Sequence, residues 1–230
     1  MKTVGILGGM GPAATVDLMR RVIDLTPASD DKDHIRMLVD NNPQVPSRIK
    51  AILEGSGEDP GAVLADMAAN LEHQGAEFLA MPCNTAHYYL DFVNAAVRIP
   101  VLNMLELAAD HIQQQNQSID RVGLLASSAL QEILLYEPYF ARHDIHVLYP
   151  ATALQNRLMA LIRTIKADVA NSSKSKALDA AAADLAKNGA DCLLIACTEL
   201  SVVSSSLNNV LPVYDAAEIL ALAIVREAMK

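Results

Sequence analysis

The amino-acid sequence predicts an α/β protein: two similar α/β domains with mostly parallel sheets, related by a pseudo-two-fold axis, with a site in the cleft between them. Short apolar runs such as Val4-Gly5-Ile6-Leu7 and Phe78-Leu79-Ala80-Met81 alternate with longer segments of helical periodicity, as expected of strands covered on both faces by helices. The run from Leu71 to Cys83 returns without a gap as Leu185 to Cys197, at a constant separation of 114 residues (71 to 185, 75 to 189, 83 to 197). Flanking pieces repeat at nearly that spacing: Val4-Gly5-Ile6-Leu7 as Val122-Gly123-Leu124-Leu125, and Ile99-Pro100-Val101 as Leu211-Pro212-Val213. Small changes of offset are what loop insertions between two copies of one unit produce. The expected domains are residues 1–103 with 210–230, and 104–209, the C-terminal helix returning to complete the first.

The first strand leads into Gly8-Gly9-Met10-Gly11, then Pro12 at a first helical position and a helix to about Leu25. Such a turn leaves backbone N–H groups for an anion or a carboxylate. Gly9-x-Gly11-x-x-Ala14 meets a loose dinucleotide fingerprint, but the acidic residue that should end the second strand, Asp40, comes too far along. Nicotinamide dinucleotide binding is therefore not expected. After a strand over 35–39, Asn41-Asn42-Pro43-Gln44-Val45-Pro46-Ser47-Arg48 is held extended by its prolines, with Ser47 placed to cap the next helix. Arg48 can grip a carboxylate through two parallel hydrogen bonds or serve as an ordinary surface arginine.

A helix from about Gly61 to His73 precedes the strand that delivers Cys83, and a helix is expected over 85–96. That would set Cys83 just before a helix N-terminus, where the dipole favours a thiolate. His87, four residues on, could face the thiol or bond elsewhere. A short strand at Val101-Leu102 and a helix from Met104 to Gln115 lead to the second half. It opens with a strand over 121–126, a turn at Ser127-Ser128, a helix to about Arg142 and a strand over 145–148. A helix over 154–165, a polar stretch over 171–176, a helix over 177–187 and the strand ending at Cys197 follow. Leu211-Pro212-Val213 and a helix over 215–229 close the chain.

With 230 residues, a net charge of −9 and no basic run, the chain is not expected to bind nucleic acid. An acidic protein that takes an acidic ligand needs local cations in its pocket. Three cysteines without short-spaced pairs argue against a disulfide scaffold or a zinc site and suit a reducing cytoplasm. Neither a signal peptide nor a membrane span is expected. Cys192 reads as core packing.

If two such halves present Cys83 and Cys197 to one cleft, the pair suits inversion at carbon: one thiolate removes a proton from one face while the opposing thiol returns one to the other. A cysteine hydrolase built on Cys83 and His87 would leave Cys197 unexplained. A non-catalytic amino-acid-binding protein would bind without exchanging the α-hydrogen.

Four ordered motifs together resemble the aspartate/glutamate racemases that work without pyridoxal phosphate. They are Gly5 to Pro12 with Ala14-Thr15, Asn42 to Arg48, Pro82-Cys83-Asn84-Thr85-Ala86-His87, and Ala196-Cys197-Thr198-Glu199-Leu200. The resemblance implies an aspartate racemase that needs no cofactor or metal, with Cys83 and Cys197 as the acid/base pair. Asn84, Thr85 and Thr198 would surround the α-carboxylate and ammonium, and Arg48 and Lys166 would meet the side-chain carboxylate. Glu199 would sit beside the second cysteine, and Met10, Gln44 and Ser127 would complete the substrate site. It also implies a homodimer acting on a small acidic amino acid. Glutamate, hydantoin or broad-specificity racemases and dicarboxylate decarboxylases are the related readings. One departure bears on specificity: relatives commonly read Ala-Thr-x-Gly-Thr where this chain has Ala126-Ser127-Ser128-Ala129-Leu130.

Overall fold

The computed structural model describes residues 1–55, 57–115, 118–167, 176–204, 207 and 211–230. The chain divides into two compact units, Met1–Leu107 with Ala217–Lys230, and Ala108–Ala216. These boundaries differ from the expected 103/104 and 209/210. The stretch 211–216 stays with the second unit because its strand pairs there.

In the first unit, β1 (Val4–Gly8) leads to α1 (Pro12–Leu25), β2 (Met37–Asn41), α2 (Arg48–Leu53), α3 (Pro60–His73) and β3 (Phe78–Ala80). All strands are parallel in the order β2-β1-β3. Both expected starts of α2 and α3 are capped by side chains: Ser47 accepts from Lys50 N–H and Asp59 from Gly61 N–H. Each cap satisfies a backbone donor that the helix itself cannot. Beyond β3 a 3-10 turn (Thr85–Tyr89) and α4 (Leu90–Ala96) replace the single helix expected over 85–96. The cause is local. The carbonyl of Cys83 accepts from Ala86 N–H at 3.2 Å and lies 2.9 Å from Nδ1 of His87, while His87 N–H turns to the Asn84 carbonyl. Val101 makes only a bridge to Leu79 instead of the expected strand, and α5 (Met104–Gln115) then begins.

The second unit contains β4 (Arg121–Ala126), α6 (Ser128–Glu132), α7 (Glu137–Ala141), β5 (His146–Leu148), α8 (Thr152–Ala167), α9 (Lys176–Lys187), β6 (Cys192–Ala196), α10 (Thr198–Val203) and β7 (Val213–Asp215). The order β5-β4-β6-β7 is parallel throughout and repeats that of the first sheet. One helix was expected over 128–142. Two short ones form, because Leu134 takes a positive φ of 49° and Pro138 can enter only a first helical turn. The last strand begins at Val213, after Pro212, which has no N–H to give the ladder and only accepts from Leu193 N–H. The polar stretch expected over 171–176 lies outside the described residues except for Lys176, which opens α9. Helix α11 (Ala216–Ala228) closes the chain.

The repeat seen in the sequence recurs in packing, unit by unit. A Cβ on Gly5 would meet Leu79 Cδ2 at 2.6 Å and Leu71 Cβ at 3.2 Å; one on Gly123 would meet Leu193 Cδ2 at 2.8 Å and Leu185 Cβ at 3.0 Å. In both units glycine allows a helix to approach the central strand at the same point. The carboxylate of Glu77 accepts from Thr3 N–H at 2.7 Å, as that of Asp191 accepts from Arg121 N–H at 2.8 Å. Leu79 N–H reaches the Pro100 carbonyl and Leu193 N–H the Pro212 carbonyl, at 2.8 and 2.9 Å. These pairs match residue for residue.

Candidate active site

Each unit places a buried cysteine just past a strand that pairs with its first strand. Cys83 follows β3 and is 7 % exposed; Cys197 follows β6 directly and is 8 % exposed. Both are free thiols. Strand ends of a parallel sheet are where α/β proteins expose chain to ligands.

In the first unit one N–H of the glycine turn is already engaged within the turn. Gly9 N–H is taken by Thr15 Oγ1 at 2.9 Å. The face of Gly9 that lacks a side chain abuts the Asn42 backbone, which a Cβ would meet at 2.3 Å. Gly9, with φ at +91°, therefore serves a tight turn packed on the next loop. Met10 is buried within it. Arg48 joins the two loops: Nη1 donates to the carbonyls of Val45 and Pro46 at 3.1 and 2.9 Å, and Nη2 to that of Met10 at 3.4 Å. Its Nε–H is buried and has no partner among the described residues. Nε and Nη2 form the edge of a guanidinium that accepts a carboxylate side-on. Gln44 is exposed, its N–H bonded to Asn42 Oδ1. Asn84 and Thr85 are buried beside Cys83, at the start of the 3-10 turn.

His87 does not serve the thiol. Its Nε2 accepts from Met104 N–H at 3.1 Å, which leaves the proton on Nδ1 to be donated to the Cys83 carbonyl. Burial holds its pKa below the ordinary value, against the raising effect of the Cys83 and Leu102 carbonyls. A neutral imidazole with both nitrogens engaged by backbone cannot act as a base for Cys83. That removes the geometry a Cys83–His87 hydrolase requires.

In the second unit Cys197 donates its S–H to Glu199 Oε2 at 3.2 Å, and Lys166 Nζ lies 3.2 Å from Glu199 Oε1. Burial pushes the Cys197 thiol well above its usual range; the Glu199 carboxylate pushes further and Lys166 opposes it. The resting residue is a thiol with a base attached. Lys166, expected to face a substrate carboxylate, is here paired with Glu199. Thr198 is buried at the start of α10, a helix the sequence pattern did not suggest. Ser127 is buried, and because β4 and β6 pair Ala126 with Ala196, its backbone follows β4 level with that of Cys197 after β6. Cys192 lies inside β6, fully buried, as expected for core. One polar residue had not been singled out: Gln155, whose side chain reaches the end of β4. Its signal was available, a glutamine on the otherwise apolar stripe Leu158, Met159, Ile162, Ile165 of α8.

Comparison with known proteins gives the class: an isomerase, and within the isomerases a racemase. The chain belongs to the Asp/Glu/Hydantoin racemase family, whose model matches residues 7–224. It is similar to the aspartate racemase of Picrophilus torridus, with 31 % identity and a TM-score of 0.85 over 100 % of this chain and 95 % of that one. The fold is shared with an aspartate racemase homologue from Pyrococcus horikoshii (21 % identity, TM-score 0.78, 100 % of both chains). It is also shared with a glutamate racemase isoform from Bacillus anthracis (18 %, 0.71, 99 % of this chain and 82 % of that one). No helix among the described residues is long and apolar enough to cross a membrane.

Proposed function

We propose that the protein racemises an acidic amino acid, aspartate in preference to glutamate, by a two-base mechanism that needs no cofactor. The observation that carries the reading is the equivalence of Cys83 and Cys197: two buried free thiols at matching positions of a duplicated unit. One cysteine removes the α-proton, the other delivers a proton to the opposite face, and the roles exchange for the other enantiomer. Cys197 begins as the proton donor. Having given its proton to one enantiomer, Cys197 is left as the thiolate that serves as base for the other, with Cys83 then the thiol; Lys166, which opposes the Glu199 charge, favours that thiolate. Asn84, Thr85, Thr198 and Ser127 hold the α-carboxylate and ammonium, with Met10 and Gln44 completing the surroundings. The Nε–H of Arg48, buried and without a partner among the described residues, takes the side-chain carboxylate, which supports an acidic substrate in a protein of net charge −9. The preference for aspartate rests on the Picrophilus torridus relative being an aspartate racemase. In this reading the protein works in the cytoplasm as a homodimer, a state that light scattering measures.

The test is proton NMR of L-aspartate in deuterated water with the pyridoxal-free, chelator-treated protein. Loss of the α-proton signal and appearance of D-aspartate on chiral chromatography are expected. Cys83→Ala and Cys197→Ala should each abolish racemisation. Full activity in either variant would reject the two-base mechanism, and faster turnover of glutamate would move the substrate assignment to the longer acid.

A further inference from the structure

Helix α8 touches the second half of the site at two places, about three turns apart at 3.6 residues per turn. Lys166, near its end, pairs with Glu199. Near its start, Gln155 reaches the turn that follows β4: Nε2 donates to the Ala126 carbonyl at 2.9 Å and to Ser128 Oγ at 3.4 Å. Met159, one turn on, accepts from Ser128 N–H through its sulfur at 3.1 Å. The orientation of the carboxamide is set by chemistry, since the Ala126 carbonyl can only accept.

Gln155 is 4 % exposed, and its Oε1 has no donor among the described residues. A buried acceptor left without a donor is costly, whereas a leucine would complete the apolar stripe of α8 at no such cost. Packing alone therefore does not explain a glutamine here. What the side chain gains is a hold on the last carbonyl of β4. Pairing of Ala126 with Ala196 brings the backbone of Ser127 level with that of Cys197, so whatever fixes the turn fixes the residue that leaves β4 where Cys197 leaves β6.

We infer that Gln155 is a positioning residue for the Cys197 half of the reaction: by clamping Ala126 and Ser128 it keeps Ser127 in register with Cys197 during proton transfer. The inference rests on the two-cysteine reading above. It adds that α8 organises that half from both ends, through Gln155 on the β4 turn and Lys166 on Glu199.

The test compares the unaltered protein with Gln155→Met, a substitution close in volume that removes the donor. Racemisation of L- and D-aspartate carrying α-deuterium is followed from each side. Because the two enantiomers meet the cysteines in opposite order, slowing only the transfer at Cys197 changes the two substrate isotope effects in opposite directions. It raises the effect for the enantiomer Cys197 deprotonates and lowers it for the other. A roughly tenfold loss of kcat/KM with that divergence is expected. Isotope effects that stay matched to the unaltered protein's, or move together, would overturn the inference. In that case a loss of rate would report general loosening of the fold.

Gln155→Glu supplies a second reading should the methionine variant fold poorly. As a carboxylate it repels the Ala126 carbonyl; as a carboxylic acid it can donate to it. Its activity relative to the unaltered protein should recover as pH falls. A flat ratio across pH would reject the clamp. If the unaltered protein itself exchanges no α-proton, it is the proposed function that fails.

Discussion

Cys197 shows how a single residue is tuned by its neighbours. Burial and the Glu199 carboxylate raise its pKa, with Lys166 pulling the other way. A thiol so placed stays protonated through neutral pH and resists alkylation, because the thiolate is the nucleophile. Replacing Glu199 with Gln removes both the repelling charge and the strong acceptor. Iodoacetamide should then modify Cys197 at lower pH than in the unaltered protein, as read by peptide mass spectrometry. A profile that does not move would mean burial alone sets the thiol. Arg48 is the other residue whose placement decides its use. Three carbonyls engage Nη1 and Nη2, while the buried Nε–H stays open. Arg48→Lys keeps the charge and loses the fork, so it should raise KM for aspartate about tenfold or more. An unchanged KM would assign Arg48 to bracing the loops alone.

Among the elements, the 3-10 turn after Cys83 depends on His87. The ring bridges the Cys83 carbonyl and the first N–H of α5, so one side chain ties the cysteine loop to the next helix. His87→Leu should cost about 1–3 kcal/mol, because both backbone groups lose a buried partner. The pH dependence has a definite sign. The folded imidazole is held neutral, while the unfolded one takes a proton below about 6.5. Its contribution to stability is therefore full above that pH and shrinks as pH falls toward the folded value. Thermal melts between pH 7 and pH 5 should show a smaller acid loss in the variant than in the unaltered protein. Equal losses would place the acid sensitivity elsewhere. The two short helices over 128–141 carry a related lesson. Pro138 was the visible marker of their break, yet the apolar pattern over the same stretch reads as one helix.

For the molecule as a whole, buried thiols limit stability on the alkaline side. Cys192 is pushed from 9.0 up to about 12 by burial, with the charge of Asp191 adding to it. Between those values the unfolded thiol is ionised and the folded one is not. Rising pH then draws the equilibrium toward the unfolded chain. The melting temperature should fall through this window, and Cys192→Ala should make the fall shallower even if it lowers stability at neutral pH. A slope identical in the two proteins would reject Cys192 as a contributor.

How much of this was legible in the sequence depends on the range of the forces involved. Apolar runs, capping residues and the gapless repeat ending on cysteine are local and survive in one dimension. They determined the parallel α/β architecture, the existence of two like units and the candidate cysteines. Partners were decided only by the tertiary structure. His87 bonds the backbone, Lys166 goes to Glu199, Gly9 gives its N–H to Thr15, and Gln155 reaches the end of β4. Each of these links residues whose meeting is set by strand register and helix packing. A buried polar group takes the nearest partner that satisfies it, and which partner is nearest exists only once the chain has folded.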